Sequence, residues 1–119
     1  MNNQDIQLTT KLIQLTIENT IKWEITSCPN SLIEGTDLIV PIYFQTHYNE
    51  SIFAIYKIRY QQYSMEFDQM YWSEDIKLAV VKDNTIIWEN TKSISAINNL
   101  FIYVQEQASG INNIIKDLI

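Results

Sequence analysis

Few residues in this chain have side chains that could carry out a reaction, and they are widely spaced. There is one histidine, His47, and one cysteine, Cys28. A thiol becomes a nucleophile when a base or a cation lies beside it, and nothing in the spacing brings Cys28 to His47. A metal centre needs three or four His, Cys or carboxylate ligands in one place, a set this sequence does not suggest. Only Gly35 and Gly110 are available for loops that cradle phosphate, and neither a GxGxxG nor a Walker pattern occurs. The segment "DNTIIWENT" lacks the glycine and the order of oxygen ligands that a calcium loop requires. The expectation is therefore no metal, no cofactor and no enzyme.

Carboxylates are the remaining catalytic option. Glu66 and Asp68 share the connection "SMEFDQ", and Glu74 and Asp75 follow shortly after. General acid catalysis needs one carboxyl kept protonated by burial, whereas a polar connection favours a solvated acidic rim. The same region, "FAIYKIRYQQYSMEFDQMYW" from Phe53 to Trp72, is crowded with aromatic rings. If strands pair across "SMEFDQ", then Tyr60, Tyr63, Phe67, Tyr71 and Trp72 gather at one end of a sheet among those acids. Tyrosine and tryptophan are enriched where proteins bind one another; they also pair across strands to stabilise a sheet. The candidate partner-binding residues are Tyr60, Tyr63, Glu66, Asp68, Tyr71, Trp72, Glu74 and Asp75.

Composition narrows the partner. Fourteen acidic residues against eight basic ones give a net charge of −6. Nucleic acid binding draws on clustered Lys and Arg, and anionic membranes select the same residues, so neither is expected. A basic protein partner fits the sign. The 119 residues suit a single domain spanning 1–119. One cysteine allows no intrachain disulfide, the N-terminal "MNNQDIQLTTK" does not resemble a signal peptide, and no run approaches the roughly 18 apolar residues of a membrane span. A cytoplasmic protein is the expectation.

The elements that must position these residues follow from periodicity. From Ile13 to Ile25 apolar and polar residues alternate as in a strand, yet Leu8, Leu12 and Leu15 share a helical face. A helix over 4–18, ended by Asn19 in the left-handed conformation, then a strand from Thr20 carrying "IKWEIT", satisfies both patterns; one long strand over 12–26 is the other solution. "SCPNSLIEG" reads as a loop. "TDLIVPIYFQT" reads as a strand with Leu38, Val40, Ile42 and Phe44 on one side, and Pro41 calls for a bulge or a sheet edge. After the turn "HYNES", Ile52, Ala54, Tyr56, Ile58 and Tyr60 alternate with a face that starts at Phe53 and Ile55 and turns basic at Lys57 and Arg59, which reads as solvent-facing. A strand over 70–82, with Ile76, Leu78 and Val80 inward, turns at "KDNT" into "IIWE" as a hairpin. "IKWE" and "IIWE" echo one another, but four residues are too short to argue duplication.

From Ile94 the period changes. Ile94, Ile97, Phe101, Val104, Ala108, Ile111, Ile115 and Leu118 follow steps of three and four, the stripe of a long helix that Ser93 or Ser95 would cap and Gly110 would bend or break. That stripe suits packing on a sheet; pairing with a second copy is the other use, so a monomer or weak dimer is expected. With so few Gly and Pro, Asn, Asp, Ser and Thr must make most turns. The predicted architecture is α+β: an N-terminal helix, an antiparallel meander of about five strands, and a long C-terminal helix packed on one face. A sheet curled round that helix is the variant.

This order, with "IxW" after the first helix, "YWSE" in the meander, "WE" closing the hairpin and "LFIYVQEQASGINNIIKDLI" at the end, resembles small uncharacterised bacterial proteins carried on mobile or variable genomic regions. The resemblance implies the layout and neither an activity nor site residues. The functional expectation is a small acidic module that binds a protein, of the immunity-protein or mobile-element and phage inhibitor type. The alternative is a small-molecule binding domain or minor enzyme with a pocket between sheet and helices, lined by Tyr56, Tyr60 or Trp72.

Overall fold

A computed structural model describes residues 3–90, 92 and 94–119, and of Asn3 the backbone alone. Its elements are α1 (Asn3–Ile17), β1 (Glu24–Ile25), α2 (Asn30–Ile33), β2 (Ile39–Tyr48), β3 (Ser51–Ser64), β4 (Gln69–Lys82), β5 (Thr85–Glu89), α3 (Ser95–Ser109) and α4 (Ile111–Leu118). The strands form one antiparallel sheet in chain order, β1-β2-β3-β4-β5. This is the α+β meander that the periodicities predict.

Turn chemistry follows the shortage of glycine. Positive φ angles occur at Asn19, Asn49, Asp68, Asp83 and Asn84, where short polar side chains tolerate the left-handed region, and at Glu50. Asn49–Glu50 and Asp83–Asn84 are two-residue hairpin loops with both φ angles positive, the twist that suits a right-handed pair of strands. Asn19 follows α1 with φ 59°, as expected of the residue that stops it.

The core lies on both faces of the sheet. On one, Leu12 and Leu15 of α1 and Ile97, Leu100, Phe101 and Val104 of α3 close over Phe44, Ile55 and Leu78. On the other, Tyr43, Ala54, Tyr56, Ile58, Ala79 and Val81 are covered by Cys28, Leu32 and Leu38. Tyr43 and Tyr56 stack there, with ring centroids 5.5 Å apart. This corrects two expectations. The Phe53–Ile55–Lys57 face of β3 is not solvated: Ile55 is fully buried under the helices, and Lys57 Nζ lies 5.9 Å from the centre of the Phe101 ring. "SCPNSLIEG" is not only loop, because its α2 turn lays Leu32 on the second face.

The bulge expected at Pro41 is present as a register shift between Ile39 and Ile42. It also splits the row Leu38, Val40, Ile42, Phe44. Leu38 and Val40 pack on the second face, Ile42 and Phe44 on the helix face, since one extra residue reverses the alternation.

The predicted strand over "IKWEIT" shortens to Glu24–Ile25. Ile21 and Trp23 are buried against the helices instead. Their backbone groups find a partner in one side chain: Gln107 Oε1 accepts from Trp23 N–H at 2.8 Å, and Gln107 Nε2 donates to the carbonyls of Ile21 at 2.9 Å and Thr16 at 3.2 Å. The Trp23 indole donates to Thr16 Oγ1 at 2.9 Å. A side chain 84 residues away replaces a strand neighbour.

Gly110, with φ 65°, breaks the C-terminal helix into α3 and α4. Ile97, Phe101 and Val104 carry the stripe into the core, while Ile111, Ile115 and Leu118 of α4 remain exposed. Ser95 is not the cap: Ile94 occupies that position, and no side chain among the described residues caps it. Ser93 lies outside the described residues.

Candidate functional site

β3 and β4 outrun their neighbours. Pairing of β2 with β3 ends at Ile39 opposite Arg59, and pairing of β5 with β4 ends at Ala79 opposite Glu89. The β3–β4 ladder continues without a shift as far as Ser64 opposite Gln69. The result is a two-stranded arm closed by the four-residue loop Met65–Asp68, with Asp68 at φ 49°. Ser64 Oγ accepts from the Phe67 N–H at 3.3 Å within that loop.

Register sorts the candidate residues onto two faces. Arg59 opposite Glu74, Gln61 opposite Trp72, and Tyr63 opposite Met70 share the face continuous with the helix side. Tyr60 opposite Ser73 and Gln62 opposite Tyr71 share the other, with Asp75. Each of the four pairs that hold a ring sets it beside a polar or thioether neighbour, so no ring lies directly opposite another. Tyr63, Met70, Tyr71 and Trp72 remain 44–53% exposed, and Phe67 and Met65 at the tip reach 67% and 88%.

Phenol and guanidinium groups hold three of the four carboxylates. Tyr60 donates to Asp75 at 2.7 Å, Tyr63 donates to Asp68, and Arg59 Nε lies 2.5 Å from Glu74 Oε2. Hydrogen bonds to those carboxylates push the Tyr60 and Tyr63 phenols above their ordinary range, because ionising either would forfeit the bond. The Arg59 guanidinium holds Glu74 below the usual carboxylate range. Tyr71 donates to Gln62 Oε1 at 2.7 Å, and Ser73 to the same oxygen at 3.1 Å. These bonds fix the ring tips and leave the ring faces open. The side chain of Glu66 is exposed in the tip loop.

All eight candidate residues thus fall on the arm or its base. They do not form one acidic cluster: Glu74 and Asp75 point to opposite faces, and Glu66 and Asp68 sit at the tip. Met65 and Met70 belong to the same exposed set and were not singled out by sequence. Two methionines flanking Phe67 in an otherwise polar turn were the available signal, since unbranched thioethers adapt to irregular binding surfaces.

The other candidates lie elsewhere. His47 is in β2, exposed and opposite Ile52, and no hydrogen bond or ion pair joins it to Cys28 among the described residues. Cys28 lies on the second face beside Tyr43 and Tyr56, where burial raises its thiol pKa. Tyr56 is fully buried there and donates to the Glu89 carboxylate. Tyr56 and Tyr60 therefore lie on the face away from α1 and α3, and Trp72 on the opposite one. Among the described residues no group of three His, Cys, Asp or Glu is placed to hold a metal ion, and no helix is long and apolar enough to cross a membrane.

Comparison with known proteins adds no assignment to this geometry: no family model matches the chain, and neither a curated protein nor a solved structure is significantly similar to it.

Proposed function

We propose that this protein binds another protein through the β3–β4 arm, and that the contacted surface on the partner is basic. One observation carries the reading: an arm beyond the rest of the sheet exposes six large side chains, with Tyr63, Met70 and Trp72 side by side on one face, Met65 and Phe67 at the tip and Tyr71 on the other face. Scattered exposed apolar residues are ordinary in a folded protein, whereas a contiguous group rimmed by polar atoms marks a contact surface. A two-stranded ribbon standing alone is marginal in water, so covering it with a partner stabilises it.

The sign of the partner follows from the arm's charges, Arg59 against Glu66, Asp68, Glu74 and Asp75. Such a field steers a basic surface toward the rings and repels an acidic one. An inhibitor that occupies a toxin or a defence protein would use an arm of this kind, and a chain of net charge −6 suits a basic target.

The test is affinity capture from the native cell with the parent and with a variant carrying Tyr71→Ala, Trp72→Ala and Glu74→Ala together. A basic protein should be retained by the parent and lost from the variant, while circular dichroism and melting temperature stay close to the parent. Equal retention by the two would refute this surface.

A further inference from the structure

We infer that the outer edge of β4, from Met70 to Glu74, takes up an extended basic segment of the partner as an additional strand. The inference rests on the proposed arm and the proposed sign of its partner. It assigns the recognition to backbone groups that the side-chain reading leaves unused.

The orientation of those groups follows from one contact. Asn90 N–H donates to the Leu78 carbonyl at 3.0 Å, and the Leu78 N–H donates to Asn90 Oδ1 at 2.7 Å. Leu78 therefore points its N–H and C=O outward, away from β3. The β3–β4 register runs unbroken from Val81 to Gln69, so the alternation carries this outward direction to Glu74, Trp72 and Met70. The buried side chain of Asn90 takes the place of a strand residue at Leu78 and ends the ladder of β5 there. Beyond it, the outward N–H and C=O groups of Glu74, Trp72 and Met70 have no protein partner among the described residues. The corresponding β3 edge is shorter, because β2 occupies it as far as Arg59.

An open strand edge is a template for another extended chain, with main-chain bonds for affinity and alternate side chains for selectivity. Charge decides the occupant. Glu74 and Asp75 lie on the edge and Glu66 and Asp68 stand at its far end; Arg59 offsets Glu74, and the remaining acidic excess attracts a basic strand and repels a second copy of this acidic chain. A strand laid there also places alternate residues against Met70 and Trp72, which share one face of β4.

The probe is a synthetic seven-residue peptide of alternating lysine and valine, with an alternating glutamate and valine peptide as its counterpart. In the free protein the amides of Met70, Trp72 and Glu74 should exchange with solvent at least about tenfold faster than those of Tyr71, Ser73 and Asp75, which bond to β3. The lysine peptide should slow the first set by about tenfold or more at saturation, and the glutamate peptide should not.

Glu74→Pro removes the outward donor and leaves the β3 ladder intact, as proline does at strand edges, and it should weaken the lysine peptide by about tenfold. Glu74→Ala removes the carboxylate alone and should weaken it by about threefold or less. Met70→Pro serves as a second backbone variant if Glu74→Pro unfolds the arm. Equal losses for Glu74→Pro and Glu74→Ala, slowed exchange with the glutamate peptide, or a dimer of this chain that Glu74→Pro dissociates would each overturn the inference. If the Tyr71, Trp72 and Glu74 triple variant fails to capture its partner while Glu74→Pro binds normally, the side-chain surface stands and the added strand does not.

Discussion

Gln107→Leu tests whether one side chain substitutes for a missing strand. In the folded protein Gln107 satisfies the N–H of Trp23 and the carbonyl of Ile21, residues only 4% and 2% exposed. It also reaches the Thr16 carbonyl and Asn19 Oδ1, which line a surface cleft with Tyr103 and Asn112 where water can replace it. Two backbone groups are then left without partners, each costing about 1–3 kcal/mol. The expected loss is about 2–6 kcal/mol, a large share of the roughly 5–15 kcal/mol that holds a domain of this size together. At about 4 °C per kcal/mol, the melting temperature should fall by about 8–24 °C. Urea unfolding with circular dichroism detection measures it, and the midpoint should move while the slope stays constant. Gln105→Leu, at an exposed position on the same helix, should change stability by less than about 0.5 kcal/mol. A Gln107→Leu protein as stable as the Gln105→Leu control would refute the clamp.

Two further outcomes follow from local geometry and from burial. Glu50 has φ 64° in a two-residue hairpin loop, where a side chain is strained and glycine is not, so Glu50→Gly should raise stability by about 0.5–1 kcal/mol in the same urea assay. Burial pushes the Tyr43 phenol up to about 12 and Tyr56 higher still, with the Glu89 carboxylate adding to the shift at Tyr56. A phenol whose folded pKa is raised contributes stability that is full below the unfolded value of 10 and is lost as pH rises through the folded one. Unfolding midpoints measured between pH 9 and 12 should therefore fall above about pH 10, and Tyr43→Phe should flatten that fall.

How much of this was legible in advance differs from residue to residue. The period of two in β3 and β4, the period of 3.6 in α1 and α3, the stop at Asn19 and the break at Gly110 are properties of neighbouring residues, and sequence displays neighbours. The location of Tyr63, Tyr71, Trp72 and their acids near one turn was legible for the same reason, because a hairpin joins residues adjacent in sequence. Their exposure was not. It depends on β2 stopping opposite Arg59 and on β5 stopping opposite Ala79, where Asn90 bonds to Leu78 and ends the ladder.

Sequence alone determined the α+β class, the order of the strands and their flanking helices, the hairpin turns and the acidic, aromatic character of one hairpin, since each rests on patterns a few residues long. Tertiary structure decided which faces are buried, that Trp23 bonds to Gln107 instead of a strand, and that the hairpin stands clear of the sheet with its β4 edge open. Those outcomes depend on contacts between segments far apart in the chain, and on a single extra residue that reverses every side chain before it.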